Sequence, residues 1–154
     1  MAPIHFLSDT SPLVAADAVA AVIVVDDPSY LMQLRDDMPT IFYPGHWGCF
    51  GGAMDPGETP SEAIRREIEE ELGFVPQACV EFVHLDIALT RITGKTIRRR
   101  YFEIAVGAAE VSRFVLSEGA AVRAFAPAEI LQAQSVVPYD AFALWLHHAQ
   151  HRLR

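Results

Sequence analysis

Three glutamates near the middle of the chain, Glu67, Glu70 and Glu71, have the type and spacing that suit metal chemistry. In a helix, residues at i, i+3 and i+4 project from one face, so their carboxylates would form a concentrated negative patch. Like charges at this spacing destabilise a helix, and a divalent cation removes the conflict because Mg²⁺ prefers oxygen ligands and substrate phosphates. The alternative is a solvated acidic face, as expected for Glu69 on the other side of the helix.

The residues around these glutamates predict where that helix begins and ends. Thr59 and Glu62 have the spacing of a capping box, and Pro60 suits the first helical position. Gly73 can adopt the left-handed conformation that commonly ends a helix. A buried stripe is predicted by apolar residues that recur every four positions: Ile64, Ile68 and Leu72.

The stretch resembles the signature of the Nudix hydrolases, G-x5-E-x7-R-E-U-x-E-E-x-G-U, in which U is apolar. Gly52 begins the match, which runs through Glu58 and Arg66 to Gly73 and Phe74. All nine specified positions agree within residues 52–74, so the resemblance is specific. It implies an α/β fold of the Nudix type, an α/β/α sandwich in which a mixed β-sheet has helices on both faces.

The resemblance implies hydrolysis, by a metal-activated water, of the diphosphate linkage in a small nucleoside diphosphate derivative. Such substrates include nucleoside triphosphates and nucleotide sugars. It also implies that Glu67, Glu70 and Glu71 hold Mg²⁺, or alternatively Mn²⁺, together with a backbone carbonyl of Gly51. Glu67 and Glu71 stand at the positions of the most regular ligands. Two alternatives remain: a catalytically silent Nudix domain that binds a nucleotide as a sensor, and an acidic domain that recruits partners.

Residues beside the glutamates are expected to support them. Arg66 would lie beside Glu70 on the helix, and an arginine paired with a carboxylate can hold metal ligands in place. We assign Arg66 to the catalytic machinery in this role, with Glu58 as a structural residue; direct contact between Arg66 and substrate is the alternative. Gly51 and Gly52 lack side chains and would let the turn approach the phosphates closely.

Glu118 is a further catalytic candidate, as an added metal ligand or as the general base. The segment Ser117-Glu118-Gly119, which precedes an aromatic residue at Phe125, resembles a turn that supplies such a glutamate in several Nudix enzymes. A plain surface glutamate is the alternative. Because loss of a general base lowers kcat about 100-fold or more, the substitution Glu118→Gln tests the assignment.

Contacts to the substrate are predicted at Arg35, whose position in the family often reaches a phosphate, and at Trp47 and Tyr43, which can stack on a base. Packing in the core is the alternative for Trp47. Phe50 stands where many nucleotide-cleaving relatives have proline, which leaves the substrate class open. A predicted hairpin carries a cluster of basic residues: Arg91, Lys95, Arg98, Arg99 and Arg100. These side chains can contact phosphate, or they can protect an edge strand from aggregation.

The rest of the chain predicts a sheet built largely from hairpins. Strands are predicted at residues 17–25, 30–35, 47–51, 78–92, 96–106 and 121–125, and a weaker one at 111–116. The stretch 78–92 can be one long strand or two short ones. Short helices are predicted after Pro127 and Pro138, and turns or loops at residues 36–46 and 93–95. Residues 1–16 are assigned to an N-terminal segment, and residues 17–154 to a single domain.

Composition limits the classes of function. A chain of 154 residues with 51% hydrophobic residues is long enough to bury a core. A formal net charge of -8 argues against polymeric nucleic acid as a ligand, because that binding depends on lysine and arginine.

Cys49 and Cys79 have no metal-like spacing and predict reduced thiols. Without a long apolar run or a signal-like N-terminus, we expect a cytoplasmic protein with no membrane contact. The resemblance also allows a homodimer.

Overall fold

The computed structural model describes residues 15–26, 29–89, 96–133 and 135–150. Within these residues the strands are β1 (Ala15–Val25), β2 (Ser29–Leu34), β3 (Trp47–Gly48), β4 (Val80–Ala88), β5 (Thr96–Val106) and β6 (Ala121–Phe125). The helices are α1 (Pro60–Leu72), α2 (Ala108–Val111), α3 (Pro127–Gln132) and α4 (Pro138–Ala149).

The strands form one mixed sheet in the order β3-β2-β1-β5-β4, with β6 also paired to β2. At its centre β1 and β5 run parallel along their whole length, from Ala15 opposite Thr96 to Val25 opposite Val106. The other strand pairs, β1 with β2, β2 with β3, β2 with β6, and β4 with β5, are antiparallel. The mixed sheet predicted from the sequence is therefore confirmed.

Side chains of β1 alternate between two apolar clusters, one on each face of the sheet. Val19, Ala21 and Ile23 belong to the cluster that contains the buried stripe of α1. Ala20 and Val22 belong to the other cluster, with residues of α3 and α4. Helices thus cover both faces, and the central strand is buried on each side, as the α/β/α sandwich requires.

The α1 helix begins and ends at the predicted residues. The Thr59 hydroxyl accepts a hydrogen bond from the Glu62 N–H at 3.3 Å, and the Glu62 carboxylate accepts one from the Thr59 N–H at 2.8 Å. After the last turn, Gly73 adopts a φ of 62° and donates its N–H to the carbonyl of Glu69 at 2.9 Å. The predicted stripe is fully buried: Ile64, Ile68 and Leu72.

The strand predicted at residues 111–116 is wrong. The short helix α2 ends at Val111, and residues 112–116 are neither helix nor strand; the first turn of α2 is stabilised by the Glu110 carboxylate accepting from the Gly107 N–H at 2.8 Å. The following segment then crosses to the end of α1, where the Val115 N–H donates to the carbonyl of Leu72 at 3.0 Å. The backbone of this segment therefore forms hydrogen bonds with the end of a helix rather than with a strand.

Other boundaries differ by a few residues. β1 begins at Ala15, two residues before the predicted strand, and β3 ends at Gly48 instead of residue 51. β4 is a single strand with an irregularity between Glu81 and Val83. Residues 1–14 and the turn predicted at 93–95 lie outside the described residues. Among the helices that the structure describes, none has the length and apolar character needed to cross a bilayer.

Candidate active site

The segment that follows β3 contains Gly51 and Gly52, which we call the glycine turn, and it lies antiparallel along the central strand β1. The Val19 N–H donates to the carbonyl of Gly52 at 2.9 Å, and the Ala21 N–H donates to the carbonyl of Phe50 at 2.8 Å. Between them, Gly51 has a φ of 129°, and a Cβ there would lie 2.2 Å from the carbonyl oxygen of Val19. Since no side chain fits, the fold itself requires glycine at this position.

Glu71 extends from α1 towards this turn and is only 4% exposed. Its Oε2 accepts from the Gly51 N–H at 2.8 Å, and its Oε1 accepts from Nε2 of Gln33 at 3.1 Å. Burial raises the pKa of Glu71 to about 7; the two hydrogen bonds oppose this rise, and the negative charges of Glu67 and Glu118 add to it. A cation at this position would stabilise the ionised carboxylate.

Glu67 lies one turn earlier on the same face of α1. A Cβ at Gly52 would lie 2.7 Å from Oε1 of Glu67, so the carboxylate packs directly against that glycine. The Glu67 side chain is 14% exposed. Burial raises its pKa, while the neighbouring Arg66 lowers it. Glu67 and Glu71 therefore both reach the glycine turn, and each is held in a setting that disfavours its charge.

Arg66 is surrounded by carboxylates. Its Nε and Nη2 donate to the two oxygens of Glu58 at 2.8 and 3.0 Å, and its Nη1 donates to Glu67 at 2.8 Å and to Glu70 at 3.2 Å. Nη2 also donates to the carbonyl of Ala53 at 3.1 Å. The hydrogen bond to Glu58 is the largest cause that raises the pKa of Arg66, and Glu67 also raises it. Arg66 thus ties the loop before α1 to two of the predicted metal ligands, including the expected contact with Glu70.

Glu70 and Glu118 lie at the exposed edge of the site. The Glu70 side chain is 60% exposed, so this carboxylate does not converge on the turn as the other two do. Glu118 is also exposed, and its negative charge contributes to the raised pKa of Glu67 and of Glu71. Its turn is fixed to α1, because the Ser117 N–H donates to the carbonyl of Glu71 at 2.9 Å. The structure therefore brings Glu118 to the acidic site from 47 residues away in sequence.

The donor set fits a hard divalent cation. Within the described residues, no three His, Cys, Asp or Glu side chains are arranged as a ready-made coordination shell. Magnesium, however, binds through one or two carboxylates and retains several waters. Glu67 and Glu71 supply two such carboxylates beside the Gly51 backbone, and both carry a raised pKa that a cation would offset.

The predicted substrate contacts are distributed around the neighbouring loop. Arg35 follows β2, where its Nε donates to the carbonyl of Phe42 at 2.7 Å and its N–H donates to the carbonyl of His46 at 2.9 Å. The ring of Trp47 meets that of Phe125 edge to face, with centroids 5.1 Å apart, in the apolar cluster on the α4 side. The packing alternative thus describes the Trp47 ring, whereas Arg35 is hydrogen-bonded to the backbone of the loop before β3.

The basic residues of β5 do not form one surface. Arg98 binds Asp86 through two hydrogen bonds of 2.8 and 2.9 Å, and both residues lie on the β4–β5 pair. Arg99 is only 12% exposed and donates to Asp140 at 3.2 Å. Of the two strands of this hairpin, β5 lies between β1 and β4 and is not an edge strand, whereas β4 ends the strand order. Two further members of the predicted cluster lie outside the described residues: Arg91 and Lys95.

Two residues of this region were not identified from the sequence. Gln33 is buried beside Glu71, and Asp140 is buried beside the segment that leads to the glycine turn, where it accepts from the Cys49 N–H at 2.9 Å. The available signal for Gln33 was a polar residue within the apolar run of β2. Such a residue must find a hydrogen-bond partner when it is buried.

Comparisons with known proteins agree with this architecture. The model of the NUDIX domain matches residues 16–153. Nucleoside triphosphatase NudI from Enterobacter sp. (strain 638) is 64% identical over 56 residues, which are 36% of this chain and 38% of that relative's length.

Solved structures resemble the chain over most of its length. The MutT protein from Methanosarcina mazei Go1 has a TM-score of 0.72 and 21% identity, with coverage of 92% of this chain and 99% of that one. The NUDIX domain of Shewanella oneidensis NrtR, complexed with ADP ribose, has a TM-score of 0.68 and 19% identity, with coverage of 92% and 90%. Because the family model spans nearly all of the chain, this protein belongs to the NUDIX domain family.

Proposed function

We propose that this chain is a Nudix pyrophosphohydrolase that uses Mg²⁺ or Mn²⁺ to cleave the diphosphate linkage of a small nucleoside diphosphate derivative. The observation that carries the proposal is the approach of two carboxylates, the half-buried Glu67 and the buried Glu71, to the backbone of one glycine turn. The partial similarity to NudI makes nucleoside triphosphates the first substrates to test.

Glu67 and Glu71 would hold the cation, with the carbonyl of Gly51 and the more exposed Glu70 as further oxygen donors. When bound, the cation neutralises charge on the diphosphate and makes water a stronger nucleophile. The residues themselves supply orientation. Gly52 makes room for the Glu67 carboxylate, because a Cβ there would lie 2.7 Å from its oxygen.

Arg66 holds the acidic face in place before substrate arrives. Its bonds to Glu67 and Glu70 reduce the repulsion between these neighbours, and its paired bonds to Glu58 fix the guanidinium. In the proposed reaction Glu118 accepts the proton of the attacking water as general base. This assignment is supported by the electrostatic effect of Glu118 on Glu67 and Glu71, and by the hydrogen bond that fixes the preceding Ser117 to the end of α1.

The proposal is tested with a panel of nucleoside triphosphates, nucleotide sugars and dinucleotides, assayed for release of phosphate or pyrophosphate. Turnover is expected with Mg²⁺ and should disappear in EDTA. The variant Glu67→Gln should lose activity, whereas Glu69→Gln, an exposed position on the same helix, should retain it. Binding of a nucleotide without turnover would overturn the hydrolase and support the sensor alternative.

A further inference from the structure

Gln33 is a buried polar residue in an otherwise apolar part of β2. It is 4% exposed, and its neighbours Leu31 and Met32 are 3% and 0% exposed. A buried amide is retained at such a position only when its donors and acceptor find partners. One partner is Glu71, whose Oε1 accepts from Nε2 of Gln33 at 3.1 Å. The amide thus contacts a carboxylate of the proposed metal site.

The other side of the Gln33 amide lies against the turn that carries Glu118. A Cβ at Gly119 would lie 2.8 Å from Oε1 of Gln33, so the oxygen packs on the backbone of that glycine. Next to it, the Ala120 N–H donates to the carbonyl of Leu34 at 2.8 Å. One side chain therefore lies between the carboxylate of Glu71 and the segment that positions Glu118.

The two oxygens of Glu71 are held by two neutral donors. The Gly51 N–H holds Oε2 at 2.8 Å, and Gln33 holds Oε1. Each carboxylate oxygen has a second lone pair that remains available for a cation. An amide fixes the carboxylate without adding positive charge, whereas a lysine or arginine at the same place would compete with the cation.

On this geometry, and resting on the proposed function, we infer that Gln33 is a positioning residue for the metal site. It holds the Glu71 carboxylate in the orientation that receives the cation and seats the turn of Glu118 beside it. Residues that orient metal ligands commonly contribute about 10- to 100-fold to metal affinity or activity.

The test replaces Gln33 with methionine, which has nearly the same shape but cannot donate. Mn²⁺ binding is measured by titration calorimetry without nucleotide, and kcat and KM are measured across a range of Mg²⁺ concentrations. We expect Gln33→Met to bind Mn²⁺ about 10-fold or more weakly and to need correspondingly more Mg²⁺ for half-maximal activity, while KM for the nucleotide stays within about twofold. Met32→Leu, a buried position on the opposite face of the same strand, is the control and should match the wild type.

A second variant keeps the test decisive if Gln33→Met folds poorly. Gln33→Asn retains the amide but is shorter by one methylene, so it should also lose the bond to Glu71 and weaken Mn²⁺ binding. Wild-type Mn²⁺ affinity in a folded variant of either kind would overturn the inference and leave the proposed function intact. Failure of both variants to fold would assign Gln33 to stability alone. A wild-type protein that neither binds Mn²⁺ nor turns over any substrate would overturn both proposals.

Discussion

Two buried carboxylates, one on each face of the sheet, hold the same short segment in different ways. On the α4 face, Asp140 is 2% exposed and accepts from Arg99, from the Tyr101 hydroxyl at 2.8 Å and from the Cys49 N–H at 2.9 Å. On the α1 face, Glu71 is 4% exposed and accepts only from neutral donors, among the hydrogen bonds of the described residues.

The difference lies in the compensation of charge. The negative charge of Asp140 is matched by the guanidinium of Arg99 at 3.2 Å, which is the expected solution for a buried structural ion. Glu71 instead has the negative charges of Glu67 and Glu118 in its surroundings, and both raise its pKa. Glu71 is thus held by one neutral donor at each oxygen and has no cationic partner among these bonds, which supports the proposed cation site.

The largest expected effect comes from removing the uncompensated charge. Glu71→Gln should lower kcat about 1,000-fold, equivalent to roughly 4 kcal/mol, because an amide cannot replace the ionised ligand. Steady-state kinetics at saturating Mg²⁺ measure the loss. Glu69→Gln is the matched control on the exposed side of α1. Activity close to that of the wild type would show that Glu71 and Asp140 are both merely structural.

Removing the charge of Asp140, which Arg99 neutralises, should affect mainly stability. Asp140→Asn leaves the buried guanidinium of Arg99 unpaired and should lower the free energy of unfolding by about 3–5 kcal/mol. Urea denaturation measures this change. The control is Asp86→Asn, which breaks the more exposed pair with Arg98 and should cost about 1 kcal/mol or less. Equal losses in the two variants would contradict the contrast between buried and exposed pairs.

The pH dependence of stability sharpens the comparison further. The pKa of Glu71 rises from its ordinary value of 4.5 to about 7 on folding, so the folded protein binds this proton more tightly than the unfolded chain does. In EDTA, its contribution to stability is complete below pH 4.5 and is lost as the pH rises through about 7. The linked change in the free energy of unfolding is at most about 3 kcal/mol.

Denaturation in EDTA at pH 5 and pH 8 measures this loss. Glu71→Gln should reduce the dependence, and saturating Mn²⁺ should also reduce it because the cation stabilises the ionised form. Glu69→Gln should leave it unchanged. If the metal-free wild type has the same free energy of unfolding at both pH values, the pKa of Glu71 is not raised in the folded protein.

The smallest of these effects concerns the exposed edge of the site. Glu118→Gln should lower kcat about 100-fold, or roughly 2.7 kcal/mol, through loss of the proposed general base. Metal affinity without nucleotide and the free energy of unfolding should change little, since the side chain is exposed. If the variant turns over substrate at nearly the wild-type rate, Glu118 is a surface residue without a catalytic role.

Local patterns in the sequence were sufficient for α1 and its glutamates. The capping box at Thr59, the apolar stripe and Gly73 all act within a few residues of one another, so spacing alone locates the helix. The same logic failed at residues 111–116, where contacts with the end of α1 decide the conformation. Residue type predicted β-structure there, but a local cap at Glu110 forms the short helix, and hydrogen bonds with the end of α1 hold the segment after it.

The buried polar partners required the fold. Gln33 and Glu71 are 38 residues apart, Arg99 and Asp140 are 41 apart, and Cys49 and Asp140 are 91 apart. No period or spacing connects such pairs, because the sheet register and helix packing bring them together. This is why Arg99 was grouped with Arg98 and Arg100 in the sequence, although it faces α4 and is nearly buried.

The amide of Gly51 donates to a side chain, whereas the neighbouring amides of Val19 and Ala21 donate to backbone carbonyls of the turn. Its exchange with deuterium therefore depends on the rotamer of a single glutamate as well as on opening of the sheet. Slow exchange at Val19 and Ala21 with faster exchange at Gly51 would show that the contact between the glycine turn and Glu71 opens while the sheet stays closed. The exchange rate of the Gly51 amide therefore measures how often its hydrogen bond to Glu71 opens.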